Sequence, residues 1–469
     1  MARLSATDAL FHYADSHLAP MNMGSVQILR LPAGYKGDFF EDYKRFVAER
    51  LDHIPKLRMK LASSPLGLPQ WVPYDDFDLD YHVRRTRVRS EDDGELYRKL
   101  GRLQKRLFDK DRPLCMFYVI EGLKDGRIAI MQKFHHALAD GRTAVKIMQL
   151  FTDRGLELFG EAVPADAADL PGTFARLLSG GLEDVRRTAA SLTGVAAIAG
   201  RLLREDGRRM LSRVVTRPVT IFNQPLSNKR LFAFGHWPLE RLTATRRDAG
   251  LSFNGIGLAM LSGALRRYLD ERDALPDRTM ICNVPVAVEA QGEKSGNAVL
   301  AMWVPLGTDL EDRSQRIDLI KAEVAAGKQL ISDVQESALA GAGVQLPSLT
   351  MRSLGFSLSS GLINKWMPPP GNVALSSVPV PSEPATVAGA RVEELYGLPM
   401  ILHGQAISVT YSTYEDKVVV GVLCCAEALP DPERLIAYME DELDAISREL
   451  AVGRSAKKAR RKTADAGKS

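Results

Sequence analysis

The chain has 469 residues, 45% of them hydrophobic and 26% charged, an ordinary globular composition on a length greater than one hydrophobic core usually organises, so two domains are expected. Its formal net charge of +4 is carried at the C-terminus: seven Lys and Arg from Arg454 onward stand against Asp465 alone, a local net of +6 that leaves the body near −2. This distribution does not indicate a basic nucleic-acid groove spread over the fold. The four cysteines, Cys115, Cys282, Cys424 and Cys425, include no C-x-x-C pair and read as reduced core residues. The N-terminus has no apolar signal region, and the charge-free stretches are too short or too broken to span a bilayer. A cytoplasmic protein that at most lies on a membrane surface is expected.

The first third reads as mixed α/β, with a strand at Gly24 to Leu31 and a helix at Phe39 to Leu51. Apolar runs at Tyr118 to Gly122 and Ile128 to Phe134 flank the turn residues Lys124-Asp125-Gly126, which predicts a hairpin. After Gly141, apolar residues at Val145, Ile147, Met148 and Phe151 predict an amphipathic helix, which places His135 and His136 at a strand-to-helix junction. From Thr173 to Arg213 apolar residues recur every three or four positions opposite an arginine-rich face. A helical connector packed on the domains is the simpler reading of that stripe, and contact with an anionic membrane is the other. The second half repeats the mixed pattern: a helix at Gly257 to Leu269, strands at Thr279 to Val288 and Ala298 to Pro305, a loop at Met367 to Gly371, strands at Ala406 to Tyr411 and Lys417 to Cys424, and a closing helix at Asp431 to Leu450.

The chemistry-bearing segment is His135-His136-Ala137-Leu138-Ala139-Asp140-Gly141. At the end of a strand the two imidazoles point to opposite faces, so one serves a cleft and the other the structure. Histidine is the natural base for an alcohol, because its neutral form is populated near neutral pH and accepts a proton as the oxygen attacks. Asp140 would fix the imidazole or lock the loop through an arginine, and Gly141 lets the backbone turn tightly or a substrate approach. Too few ligands converge for zinc, so no metal site is expected. No Gly-x-Ser-x-Gly elbow, dinucleotide fingerprint or P-loop is present. The remaining economical reaction is direct transfer, in which a hydroxyl deprotonated by histidine attacks an activated acyl thioester without a cofactor.

Several further segments resemble the bacterial wax ester synthase/diacylglycerol acyltransferase family, over nearly the whole chain. They are Phe77-Asp78-Leu79-Asp80-Tyr81-His82-Val83, Arg112-Pro113-Leu114 through Ile120-Glu121-Gly122-Leu123, Phe134 to Gly141, Asn283-Val284-Pro285-Val286, Gly296-Asn297, Ala388-Gly389-Ala390-Arg391 and Pro430-Asp431. The resemblance implies an α/β fold of two chloramphenicol-acetyltransferase-like lobes with mixed sheets, joined by a helical connector, with the active-site tunnel between them. The corresponding divisions are 1–172 for the first lobe, 173–225 for the connector, 226–453 for the second lobe and 454–469 for a basic tail expected to be disordered. It also implies His136 as the base, with His135, Asp140 and Gly141 as support and Arg278 as the candidate partner of Asp140. Asn254 and Asn297 are the candidate substrate-binding residues, although a helix-capping role for Asn254 is an open alternative. The implied partners are a long-chain acyl-CoA as co-substrate and a long-chain alcohol or diacylglycerol as acceptor, with peripheral contact to an anionic membrane or lipid droplet. Rival readings keep the fold but take a polyketide- or peptide-type acceptor, or make the chain a weakly catalytic lipid-binding or droplet-coating protein.

Three departures from the family pattern bear on acceptor choice. Asn254 is followed by Gly255 where an aspartate is usual, Cys115 replaces a tryptophan, and Ser377-Val378-Pro379-Val380-Pro381 replaces Asn-Val-Pro-Gly-Pro.

Overall fold

A computed structural model describes residues 4–63, 68–89, 92–139, 141–159, 208, 212, 215–287, 299–339, 348–361, 371–377 and 383–466. Asp140, Asn297, most of the connector and most of the Met367 to Gly371 and Ser377 to Pro381 loops lie outside the described residues. Helix α1 (Ala6–Ala14) precedes β1 (Asn22–Arg30), followed by α2 (Phe39–Arg50), β2 (Met59–Ala62), β3 (Gln70–Pro73), α3 (Leu79–His82), β4 (Val83–Arg87), α4 (Asp93–Gln104), β5 (Cys115–Glu121), β6 (Ile128–His135) and α5 (Gly141–Leu150). The second half contributes β7 (Arg230–Pro238), β8 (Ile281–Ala287), β9 (Val299–Pro305), β10 (Val373–Ser377), β11 (Thr386–Val387), β12 (Ala390–Leu398), β13 (Ile407–Tyr414) and β14 (Lys417–Cys425).

The first sheet has the order β11-β12-β1-β6-β5-β4 and the second β7-β14-β13-β10-β8-β9, with β2 and β3 forming a separate pair. Both large sheets are mixed: β4 runs parallel to β5, and β10 runs parallel to β8 and β13. The apolar runs of β5 and β6 are buried on both faces, and so were readable as continuous hydrophobic stretches. The expected hairpin between them forms, with Asp125 and Gly126 at φ 59° and 67°. All four cysteines are free and buried.

Two features depart from a division of the sequence into successive pieces. Strands β11 and β12 lie within 226–453 yet join the first sheet, β12 pairing along β1 from Gly24↔Leu398 to Arg30↔Arg391. Side chains also stitch β12 to the second sheet: the Thr410 hydroxyl donates to the Gly397 carbonyl at 2.7 Å and Tyr414 to that of Val392 at 3.1 Å. A two-sided strand of this kind satisfies its backbone in one sheet while its packing faces the other, which hydrophobic patterning alone does not assign. Second, the tail expected to be disordered continues the C-terminal helix, Pro432–Ala466. Its Ala, Lys and Arg content favours helix strongly even where no apolar stripe demands burial.

The lobes meet closely where α4 lies against β7. A Cβ on Gly101 would sit 2.1 Å from the Arg230 carbonyl oxygen, so the absence of a side chain there permits the approach.

Candidate active site

Strand β6 delivers the two histidines at its C-terminal end, next to the N-terminal end of β1. The register pairs Asn22 with His135, and beyond it the His136 N–H donates to the Met21 carbonyl at 2.8 Å. Alternation then separates the side chains. His135 is buried, whereas His136 is half-buried with its ring stacked on Phe11, centroids 3.9 Å apart and planes inclined by 26°.

The His135 ring is tied from both nitrogens. Nδ1 accepts the Ala137 N–H at 3.0 Å, which fixes the turn directly after His136 and leaves the proton on Nε2. Nε2 faces the Asp15 Oδ2 at 3.7 Å, both side chains being about 1% exposed. At that separation the contact is electrostatic rather than a hydrogen bond. Asp15, the C-cap of α1, also accepts the Met21 N–H at 2.9 Å, and Lys110 stands 3.5 Å from its second oxygen. Burial alone would raise this carboxyl; His135, the Met21 N–H and Lys110 outweigh it and hold Asp15 below the ordinary carboxylate range. His12, one turn earlier on α1, is pushed down to about 4 by burial, then by Lys110 and His135, and so is neutral at neutral pH.

Beneath the histidines lies a buried polar knot. Asn22 donates to the carbonyls of Gln104 (2.7 Å) and Arg106 (2.9 Å), Gln104 returns its amide to Asn22 (2.6 Å) and Pro399 (2.9 Å), and Lys133 donates to Leu103 (3.2 Å) and Arg106 (2.7 Å). Burial, with Arg106, brings the Lys133 amine down to about 7. These bonds satisfy the C-terminal carbonyls of α4, which would otherwise be orphaned inside the protein, and anchor β1, β6 and the Pro399 segment to one another.

The Phe77 to Val83 motif is a buttress. Asp78 caps α3 by accepting the Tyr81 N–H, Phe77 stacks on His82 at 4.3 Å, and His82 Nδ1 meets the Cys115 carbonyl at 2.8 Å. Cys115 is fully buried, its thiol 3.7 Å from the Leu57 carbonyl and pushed well up by burial.

Gly141 is the first residue of α5. Asn254 lies half-buried in the first turn of the helix Phe253–Asp270, where Ser252 is the N-cap and accepts the Gly255 N–H at 3.1 Å; the capping alternative for Asn254 is thereby replaced by Ser252. Arg278 is 65% exposed, donates to the Thr216 carbonyl at 3.0 Å and pairs with Asp277 at 3.9 Å. Its expected pairing with Asp140 falls outside the described residues. Phe11, His12 and Asp15 were not singled out from sequence as site residues. The available signal was Phe11 and Asp15 four positions apart on the end of a short helix, a spacing that brings them to one face.

Among the described residues no cluster of three or more His, Cys, Asp or Glu has metal-binding geometry, and no helix is long and apolar enough to cross a membrane.

Comparison with known proteins adds the family. Residues 4–256 match the wax ester synthase/diacylglycerol acyltransferase catalytic domain, and residues 295–447 match the C-terminal domain of the same family. A Mycobacterium tuberculosis H37Rv protein provisionally named a diacylglycerol O-acyltransferase is 34% identical over 462 residues, covering 96% of this chain and 100% of its own length. A second from the same organism is 31% identical over 465 residues, with 97% and 100% coverage. Among solved structures, the wax ester synthase/diacylglycerol acyltransferase of Marinobacter aquaeolei VT8 superposes with a TM-score of 0.67 at 26% identity, over 96% of this chain and 100% of that one. The starter condensation domain of rhizomide synthetase, in complex with C8-CoA and Leu-SNAC, shares the fold alone, with a TM-score of 0.55 at 14% identity over 96% and 94% of the two chains. With both family domains matched in order along one two-lobed chain, this protein belongs to the wax ester synthase/diacylglycerol acyltransferase family.

Proposed function

We propose that the protein transfers a long-chain fatty acyl group from acyl-CoA to the hydroxyl of a long-chain alcohol or diacylglycerol, giving a wax ester or triacylglycerol, with His136 as general base. The observation that carries this reading is the division of labour between the histidines: His135 is buried between Ala137 and Asp15, and His136 is the half-accessible one. In the proposed reaction the neutral His136 imidazole accepts the acceptor's hydroxyl proton as its oxygen attacks the thioester carbonyl. The tetrahedral intermediate collapses with cleavage of the C–S bond, and the imidazolium returns the proton to the departing CoA thiolate. Free ester and CoA leave, and the base is regenerated without a covalent enzyme intermediate, a metal or a prosthetic group.

The stacking of Phe11 on His136 limits the tilt of the ring, and the Ala137 to His135 hydrogen bond limits movement of the backbone carrying it. Both favour a fixed near-attack geometry. Asp140 and Gly141 are assigned supporting roles at the turn into α5, and Asn254 and Asn297 are assigned to substrate binding. The basic residues from Arg454 onward are assigned to peripheral contact with an anionic membrane or droplet surface. The test is incubation of purified protein with labelled palmitoyl-CoA and a panel of hexadecanol, diacylglycerol and short alcohols. Labelled wax ester or triacylglycerol is expected, and release of labelled free acid alone would refute transfer.

A further inference from the structure

Strand β4 and the residues after it read Val83-Arg84-Arg85-Thr86-Arg87-Val88-Arg89. Alternation in extended backbone sends Arg85 and Arg87 to the same side, and Arg89, at the bend just beyond the strand, joins them. There they line an open cleft of about 1020 Å³ together with Arg127, against apolar walls that include Leu31, Phe39 and Ile128. Arg85, Arg87 and Arg89 are all exposed there.

The four guanidiniums are not equivalent. Arg85 takes both nearby carboxylates, Asp38 and Glu121, the latter at 3.3 Å, and Arg127 pairs with Glu394 at 3.3 Å. Arg87 and Arg89 are exposed, and neither pairs with a carboxylate among the described residues. Glu95 accepts the main-chain N–H of Arg89 at 2.9 Å rather than its guanidinium.

Two exposed guanidiniums, one at the end of β4 and one at the bend just after it, line the same cleft, and a pair of planar forks recognises the oxygens of a phosphate better than a single ammonium would. The apolar walls below them suit the uncharged remainder of such a ligand. We propose that this cleft binds a phosphate monoester carried on a larger molecule, with Arg87 and Arg89 contacting the phosphate oxygens, at a site separate from His136. The cleft borders Ile128, at the opposite end of β6 from the histidines, about 23 Å away at the rise of an extended strand. The ligand is therefore not read by the base, and the site stands whether or not the proposed acyl transfer is correct.

Binding of glycerol 3-phosphate, dihexanoyl phosphatidic acid and dihexanoyl phosphatidylcholine to the full chain, followed by calorimetry and ³¹P line broadening, tests the site. The Arg87→Gln/Arg89→Gln variant is compared with Arg45→Gln/Arg154→Gln, which removes the same charge from side chains 72% and 68% exposed elsewhere. Phosphatidic acid is expected to bind wild type, to weaken at least tenfold in the cleft variant, and to change less than twofold in the control. Parallel behaviour of glycerol 3-phosphate would identify a soluble phosphomonoester as sufficient, whereas its failure to bind would identify a lipid headgroup. Equal affinity for phosphatidylcholine, equal weakening in the control, or no binding of either phosphate compound overturns the proposal.

Discussion

Asp15 and His12 show how much of the site is set by residues outside the His-His-x-x-x-Asp-Gly segment. Asp15 bridges Met21, His135 and Lys110, so its carboxylate joins the end of α1 to the start of β1 and the end of β6. Asp15→Asn keeps the shape and removes the charge. It is expected to lower stability by about 2 kcal/mol and kcat by about tenfold with KM nearly unchanged, because it loosens the support of the base rather than a substrate contact. Thermal melts and steady-state kinetics check this; a normal kcat in the destabilised variant would make Asp15 purely structural. His12 supplies a pH signature. The folded protein keeps it neutral down to about 4, whereas the unfolded chain protonates it near 6.5, so between those values the unfolded state holds the extra proton and stability falls as the pH falls. The expected loss, discounted for partial exposure, is on the order of 2 kcal/mol. Urea unfolding at pH 7 and 4.5 should show a larger drop for wild type than for His12→Gln. At this scale the motif histidines were legible because a paired His at a strand end has few structural explanations, while Asp15 was not. A single aspartate after a short helix carries no period, and its importance arises from a contact 120 positions along the chain.

Elements with one clean pattern were legible nearly to the residue. The strand read at Lys417 to Cys424 spans Lys417–Cys425, and the helix read at Phe39 to Leu51 spans Phe39–Arg50. Less legible were starts and partners. The second-lobe helix begins at Phe253 rather than Gly257, since Ser252 caps it and its glycines, Gly255 and Gly257, dilute the first turns of the pattern. That cap makes the departure at Gly255 testable. A Cβ there would lie 3.2 Å from the Leu251 Cδ2, the tip of a side chain, and 3.2 Å from the capping Ser252 Oγ, each of which must give by a few tenths of an ångström. A carboxylate near a helix N-terminus is favourable by about 0.3–1 kcal/mol. Gly255→Asp is thus expected to fold with stability within about 1 kcal/mol of wild type and to change the ratio of alcohol to diacylglycerol esterification. An unaltered ratio in the folded variant would remove position 255 from acceptor choice. Gly101→Ala tests the lobe contact instead. Forcing a methyl against the Arg230 carbonyl should cost about 1–3 kcal/mol, read as a lowered urea midpoint, and an unchanged midpoint would mean that the lobes yield freely there.

For the whole molecule, length and composition led to an expectation of two domains, and the described residues form two six-stranded sheets. What they did not indicate is that the second half lends strands to the first sheet. The first sheet is completed by β11 and β12 from the second half, so the first half of the sequence does not carry all the strands of its own sheet, whereas the second sheet draws all six of its strands from the second half. Hydrophobic patterning reports burial but not which sheet a strand joins, and β12 is buried against both. Charge distribution bears on the molecule's surroundings. With a net of +6 from Arg454 onward on a body near −2, binding to anionic vesicles is expected to be salt-sensitive and to weaken several-fold when 454–469 is removed. Vesicle sedimentation at low and high salt measures this, and undiminished binding of the truncated chain would exclude the tail as the contact.

The central claim is that His136 removes the proton from the acceptor. The most direct measurement is single-turnover acyl transfer by His136→Ala, made alongside acyl-CoA binding and melting temperature on the same protein. The account predicts normal binding and folding with transfer reduced by about a hundred- to ten-thousand-fold. Near-wild-type transfer in a folded His136→Ala protein would contradict it.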